Sequence, residues 1–184
     1  MIQPSMQRLM EEVRLGTLDF TLTKPRDAQL LVSIRQVQIW KLIDVVMGLV
    51  VLGLALAQLS RSIGAGQALA FGVALLAGAA IVYSFWVVLA TCSFWFVRVD
   101  NILVVFQSMY EAGRWPVGLY PPWLKVAVTF LVPVAFAVTV PAEALVGRLT
   151  AATLLGSVAL SVILLIGSRV FWIWGVKHYT GASA

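Results

Sequence analysis

Charge is what this sequence has least of: of 184 residues, 11% are charged and 61% are hydrophobic, against about 25% charged in an ordinary soluble domain. That shortage excludes a chain solvated wholly by water and points to lipid as the solvent. There is one cysteine, Cys92, inside a long apolar run, so neither a disulfide framework nor a cysteine metal site can be assembled within one chain. A small packing residue is its plain reading and a reactive thiol its alternative. The one histidine, His178, lies near the carboxyl end, where a solvated interfacial side chain is the simple reading and a ligand the sharper one. No HExxH occurs, no acids cluster at metal-ligand spacing, and no serine or cysteine has a plausible histidine partner, so the parts of an active site are missing. The chain lacks even a Gly-Lys dipeptide, which excludes a P-loop; any ATP-driven work would need another polypeptide. The net charge of +5 includes no basic run, so no nucleic-acid partner is expected, and the cations flank apolar blocks instead.

Residues 1–41 alternate short apolar clusters with charges. They contain Glu11, Glu12, Asp19 and Asp27 and no apolar core of the kind a signal peptide needs, so a cleaved leader is not expected. The stretch Ser5 to Val13 predicts a short helix ended by Gly16. In Lys24-Pro25-Arg26-Asp27 the proline stops the preceding chain, and Asp27 can cap the next helix by accepting from its free amides. Leu30, Leu31, Ile34 and Val37 then recur at about helical period and lead toward the bilayer. This region reads as a platform on the cytoplasmic surface.

Beyond it the pattern predicts an all-α membrane protein with about four transmembrane helices, over 42–59, 67–97, 126–140 and 149–167, so that 42–184 forms a helical transmembrane domain. The first block has 18 residues and can just cross a hydrocarbon core of about 30 Å at 1.5 Å per residue. The second has no charge over 31 positions, more than the roughly 20 needed, which implies tilt or an end lying at the interface. Ala70, Ala74 and Gly78 recur at every fourth position on it, a face small enough for close helix packing, with a substrate path as the alternative. The third block carries Pro133 and is closed by Pro141; these are candidate kinks, since a proline frees a carbonyl that neighbouring protein must satisfy. After the fourth block, Arg169, Lys177, Phe171, Trp172, Trp174 and Tyr179 read as an interfacial anchor.

With both termini inside, the inner segments hold every Lys and Arg except Arg61 and Arg148, as the positive-inside rule asks. Six of the seven tryptophans (Trp40, Trp95, Trp115, Trp123, Trp172 and Trp174) fall near the same boundary, leaving Trp86 at depth. Asp44 is the one acid within a spanning block. An ion pair with Lys41, three residues earlier, explains it simply, because a proton relay needs a second intramembrane ionisable group and none is present in the other blocks.

Three separated segments carry a resemblance: VRLGTLDFTLTKPRDAQLLVSIR (Val13 to Arg35), PPWLKVAVTFLVPVAFAVTVPAEAL (Pro121 to Leu145) and FWIWGVKHYTGASA (Phe171 to Ala184). Together, in this order and with apolar blocks between them, they resemble the permease subunits of ABC exporters in the ABC-2 family. The likeness covers essentially the whole chain. It implies a multi-pass protein of a bacterial plasma (inner) membrane with both termini cytoplasmic. It also implies a homodimer or a heterodimer with a related permease, surrounded by membrane lipid, and a separate ABC ATP-binding subunit that holds the ATP and magnesium. No cofactor would be bound by this chain and no catalytic residue is expected in it.

Family permeases usually have six spanning helices, with the Gly-Thr-Leu-Asp motif in the cytoplasmic loop after the second. Here that motif begins near Met1. The resemblance therefore implies the family's carboxyl-terminal two-thirds, through a truncated gene, a late start or a natural shortening. It also implies that residues 14–26 are the coupling element seated in a groove of the ATPase. In that reading Leu18, Phe20 and Leu22 supply apolar contact, and Arg14, Asp19, Lys24 and Arg26 set the register. Gly16 and Pro25 belong to the same element. The alternative for this segment is simple adhesion to anionic headgroups, which its acids oppose. The alternative for the chain is a structural or assembly subunit of a membrane complex that performs no transport.

Overall fold

The computed structural model describes residues 2–23, 27–35, 38–58, 64–95, 121 and 134–179. Lys24, Pro25, Arg26 and Pro133 lie outside the described residues, as do the first half of the block at 126–140 and the loop cations Arg61, Arg98, Arg114 and Lys125. The described residues form seven helices and no strand: α1 (Ile2–Leu15), α2 (Asp19–Leu22), α3 (Ala28–Ile34), α4 (Lys41–Gln58), α5 (Ala65–Cys92), α6 (Val134–Val146) and α7 (Ala151–Lys177). The chain is an all-α membrane protein. Helices α4, α5 and α7 are long and apolar enough to cross a bilayer, and α6 is a shorter apolar helix.

Helices α1 to α3 make the platform. Met6, Leu9 and Met10 of α1 are buried while Gln7, Arg8 and Glu11 face out, the i, i+3, i+4 stripe of a one-sided helix. Gly16, at φ 68°, ends α1: Thr17 N–H donates to Glu12 O at 2.9 Å and Gly16 N–H to Val13 O at 3.2 Å. This left-handed cap uses carbonyls the helix leaves free, and glycine adopts it without a Cβ clash. The helix is longer at both ends than the Ser5 to Val13 stretch predicts. At the other end of the platform Asp27 caps α3 as expected, its carboxylate accepting from Gln29 N at 3.0 Å and Leu30 N at 3.4 Å.

The spanning helices pack unequally. Helix α5 has 28 residues, about 42 Å at helical rise, and is the centre of the bundle, with α6 and α7 against it. It begins at Gly64, whose N–H donates to Gln67 Oε1 at 3.2 Å, and ends at Cys92 in turns at 93–95. On the α6 side Ala74 and Gly78 are buried and Ala70 is half-buried. A Cβ added at Gly78 would lie 2.7 Å from Ala137 Cα and 3.3 Å from Ala137 O. That carbonyl is four residues before Pro141, so the proline denies it the usual intrahelical donor, and it faces a residue on α5 that offers no side chain.

Helix α6 continues through Pro141 to Val146, so Pro141 does not close the third block as the sequence reading had it. Tertiary packing carries the proline, which is buried, and the stop comes at Gly147, φ 73°. There Arg148 N–H donates to Glu143 O at 3.0 Å, repeating the cap that ends α1.

Helix α7 starts at Thr150, which accepts from Thr153 N at 3.2 Å, and does not stop at Gly167. Arg169 and the aromatic anchor are part of the same helix, which ends at Lys177; Gly175 lies inside it and admits Thr91 and Phe94 of the neighbouring segment. Ser157, Ser161 and Ser168 are buried in α7, each hydroxyl donating to a carbonyl three residues back, at 2.8, 2.8 and 3.0 Å. Their polar atoms are therefore satisfied without water, as a helix in hydrocarbon requires.

By contrast α4 buries no residue, and Lys41 and Asp44 in its first turn form no ion pair among the described residues, contrary to expectation. Asp44 is exposed there, where a helix amino end itself favours a carboxylate.

Candidate functional site

The candidate site is the platform and its seat on the bundle. Leu18 is fully buried, at 0% exposure, in a core with Met6, Leu9, Met10 and Val32 from the platform, Trp86, Val87, Leu89 and Ala90 from α5, and Trp172 from α7. Burying one such side chain is worth about 1.5–3 kcal/mol relative to exposure. Leu18 therefore fixes its segment to its own chain. It is closed to any other protein, and Leu22, packed against the same core, is only partly open. The apolar contact expected from Leu18, Phe20 and Leu22 together thus reduces chiefly to Phe20, which is 77% exposed, with Leu15 beside it at 59%. The reason is the one-turn helix α2, which points alternate sides of the motif in opposite directions.

Among the polar members, Arg14 is exposed and Asp19 partly so. An open groove of about 480 Å³ runs along α1 between Pro4, Gln7, Arg8, Glu11, Glu12, Leu15 and Thr17, so the outer face of the platform mixes both signs of charge with apolar relief. Arg35 ties this face together. Its Nη1 donates to both Glu12 carboxylate oxygens, at 2.7 and 2.8 Å, and to Thr21 Oγ1 at 3.2 Å, while Arg8 Nε lies 3.7 Å from Glu12. Arginine suits this position because its planar fork can satisfy several acceptors at once.

A second network joins the platform to the bundle. Arg169 of α7 donates through Nη2 to Asp27 Oδ2, through Nη1 to Asp27 Oδ1 at 2.9 Å, and through the same nitrogen to Gln29 Oε1 at 2.8 Å. Gln29 Nε2 in turn donates to the Tyr83 hydroxyl of α5 at 3.2 Å. The Ser33 hydroxyl lies 3.0 Å from the same Tyr83 oxygen and donates to Gln29 O at 2.7 Å. The Arg169 guanidinium holds the Asp27 carboxyl below its ordinary range, with the α3 amides adding to the effect against a partial desolvation.

Tyr179, just past α7, packs edge-on to Phe94 with ring centroids 5.7 Å apart. Burial first, and the nearby Asp19 carboxylate second, push its phenol above the ordinary value. Its hydroxyl has no well-formed hydrogen bond among the described residues. Trp95, Phe171, Trp174 and His178 stack beside it, with Trp95 and Trp174 centroids 4.8 Å apart and Trp174 and His178 4.7 Å apart. His178 Nδ1 lies 2.9 Å from Trp174 O. The start of the chain and its carboxyl end therefore meet at one end of the bundle.

Sequence reasoning did not find Gln29, Tyr83 or Ser33, and took Arg169 only as an anchor. The apolar period through Leu30 and Ile34 was read as leading toward the bilayer; both are exposed while Gln29 and Val32 are buried. The available signal was a lone cation, Arg169, following a spanning block, because such a charge needs a partner. Among the described residues no group of histidine, cysteine and acidic side chains is arranged to hold a metal ion.

No curated protein and no solved structure matches the chain. The family model described as "ABC-2 family transporter protein" matches residues 1–183. With a platform folded from the amino-terminal motif, apolar helices behind it and a family match over nearly every residue, the chain belongs to the ABC-2 family of transporter proteins.

Proposed function

We propose that this chain is the transmembrane permease subunit of an ATP-driven exporter, coupled to a separate ATP-binding subunit that docks on the platform from the cytoplasm. The observation that carries the reading is Phe20: a large apolar side chain held outward by a buried Leu18, in a short helix flanked by Arg14 and Asp19. Such an anchor, rigid underneath and exposed on top, is the kind of residue that fills a pocket on a partner. The mixed charges around it would set register and orientation.

In this reading the permease has no chemistry of its own. ATP and magnesium stay with the partner, and closure of two ATP-binding subunits would move two platforms in a permease dimer. The spanning helices would then rock between inward-open and outward-open arrangements as rigid bodies. The basic residues of the platform lie on the cytoplasmic side in this arrangement, as the charge bias across the chain favours.

Co-purification from membranes with an ABC ATP-binding subunit co-expressed from the same genome tests the reading. The unaltered chain is expected to retain that subunit. Phe20→Asp, or charge reversal by Arg14→Glu together with Asp19→Lys, is expected to release it while the permease remains folded in the membrane. Retention unaffected by all of these substitutions would remove the platform from the docking role.

A further inference from the structure

We infer that movement of the platform is delivered to α7, the last helix of the chain, through Arg169 and Tyr179, and not to α4, the helix that follows the platform directly in sequence. The inference rests on the proposed docking of an ATP-binding subunit and names the positioning residues that would carry its motion.

Chain order alone would make α4 the lever, because six residues separate it from α3, with Ile34 and Lys41 as the respective bounds. Among the described residues, no side chain of α4 belongs to the platform core. No residue of α4 is buried, whereas the platform core is completed by Trp86, Val87, Leu89 and Ala90 of α5 and Trp172 of α7.

Helix α7 is gripped at two levels. At the upper one, Arg169 holds Asp27 with both terminal nitrogens and Gln29 with one of them. Gln29, buried at 6% exposure, passes the connection to Tyr83 on α5. A charge on a spanning helix is costly unless it is partnered, so Arg169 keeps α3 attached as the helix moves. At the lower level Tyr179 packs against the core that holds Leu18, the residue before Asp19. Asp19 immediately precedes the exposed Phe20. A force applied to Phe20 therefore meets the end of α7 within one turn of α2, while Asp27, as the cap of α3, carries the same motion to Arg169.

The arginine fork matters as well as the charge. Two acceptors on different residues are bridged by one planar group, which the single ammonium of lysine does not reproduce.

The test uses the full chain in lipid nanodiscs, first alone and then with the co-purified ABC ATP-binding subunit. Hydrogen exchange of the α3 amides reads the joint. Arg169→Gln and Asp27→Asn are each expected to speed that exchange by about fivefold, the size of a partly exposed ion pair. Asn remains a good helix cap, so Asp27→Asn removes charge with little loss of capping, and the double variant should exchange little faster than either single one. Arg169→Lys should recover only part of the protection.

With the ATP-binding subunit bound, maleimide labelling of Lys177→Cys, in a Cys92→Ser background, reads the end of α7, and Lys41→Cys reads the foot of α4. ATP with vanadate is expected to change labelling at position 177 and not at 41, and Arg169→Gln is expected to abolish the change without releasing the subunit. Exchange in α3 that ignores Arg169, or an ATP response that appears at 41 and not at 177, overturns the inference. If no ATP-binding subunit associates with the unaltered chain, the proposed function fails, and the exchange arm still decides whether Arg169 joins the platform to α7.

Discussion

Replacing Gly78 with alanine tests a close backbone contact between α5 and α6. The new Cβ would lie 2.7 Å from Ala137 Cα and 3.1 Å from Ala137 Cβ, whereas carbon atoms rest at about 3.5–4.0 Å. Because the obstacle is backbone, no rotamer relieves it, and α5 and α6 must part by about 1 Å, enough to forfeit a quarter to a half of each contact well along the seam. Overpacking of this kind costs about 1–3 kcal/mol, and alanine returns up to about 1 kcal/mol of helix propensity relative to glycine. The net expectation is a loss of up to about 2 kcal/mol on those two scales. Gly72, on the same helix, has nothing within 4 Å of its added Cβ, so Gly72→Ala should show only the gain. Reversible unfolding in mixed micelles, comparing the two variants, isolates the packing term. Equal stability of Gly78→Ala and Gly72→Ala would refute the close approach.

Gly175→Ala should cost less than Gly78→Ala in the same assay, because its Cβ meets the Thr91 methyl at 2.6 Å and a Phe94 ring carbon at 2.9 Å, side-chain atoms that can move. Glu12→Gln should loosen the platform by about 0.5–1 kcal/mol, since Arg35 remains partly exposed and screened; faster proteolysis within residues 2–35, with the spanning helices intact, is the expected readout. Asp27 has a folded-state pKa below its ordinary 3.8, so its contribution is fully present above the unfolded value of about 3.9 and is lost as pH falls through the lower folded value. The protection of α3 in the unaltered protein should therefore descend toward that of Asp27→Asn as the medium is acidified below about pH 4, and a constant difference between the two down to pH 2 would contradict the Arg169 pairing.

The parts of this structure that were legible in sequence are those written locally. A helix must supply about 20 apolar residues to cross hydrocarbon, so the cores of α4, α5 and α7 stand out as uninterrupted blocks. Gly16 and Asp27 act within four residues of themselves, and a cap can be read from such a window. Pro141 was misjudged because a proline's local effect was weighed without the neighbouring helix that accommodates it. Beyond Gly167, where the apolar block ends, the helix continues to Lys177, because Arg169 and the aromatic residues change the solvent preference of α7 but contain no helix breaker.

The joint itself was invisible because Arg169 and Asp27 are 142 residues apart and no sequence pattern pairs them. Gln29 was hidden by its apolar neighbours Leu30 and Leu31. Periodicity assigns the greasy face to the interior, yet at a membrane surface a greasy face can be turned to lipid while a polar residue is kept inward by specific partners. For Leu18 the motif gave the right segment and the wrong direction, since a four-residue helix has no period from which to infer which side is buried.

The most direct test is the sidedness of two single cysteines, Thr23→Cys on the platform and His178→Cys at the carboxyl end, in a Cys92→Ser background and in sealed, oriented membrane vesicles. Both should react with an impermeant maleimide only when the cytoplasmic face is exposed. Reaction of the two from opposite faces would contradict the seating of the platform on α7 and, with it, the route by which ATP could act on this bundle.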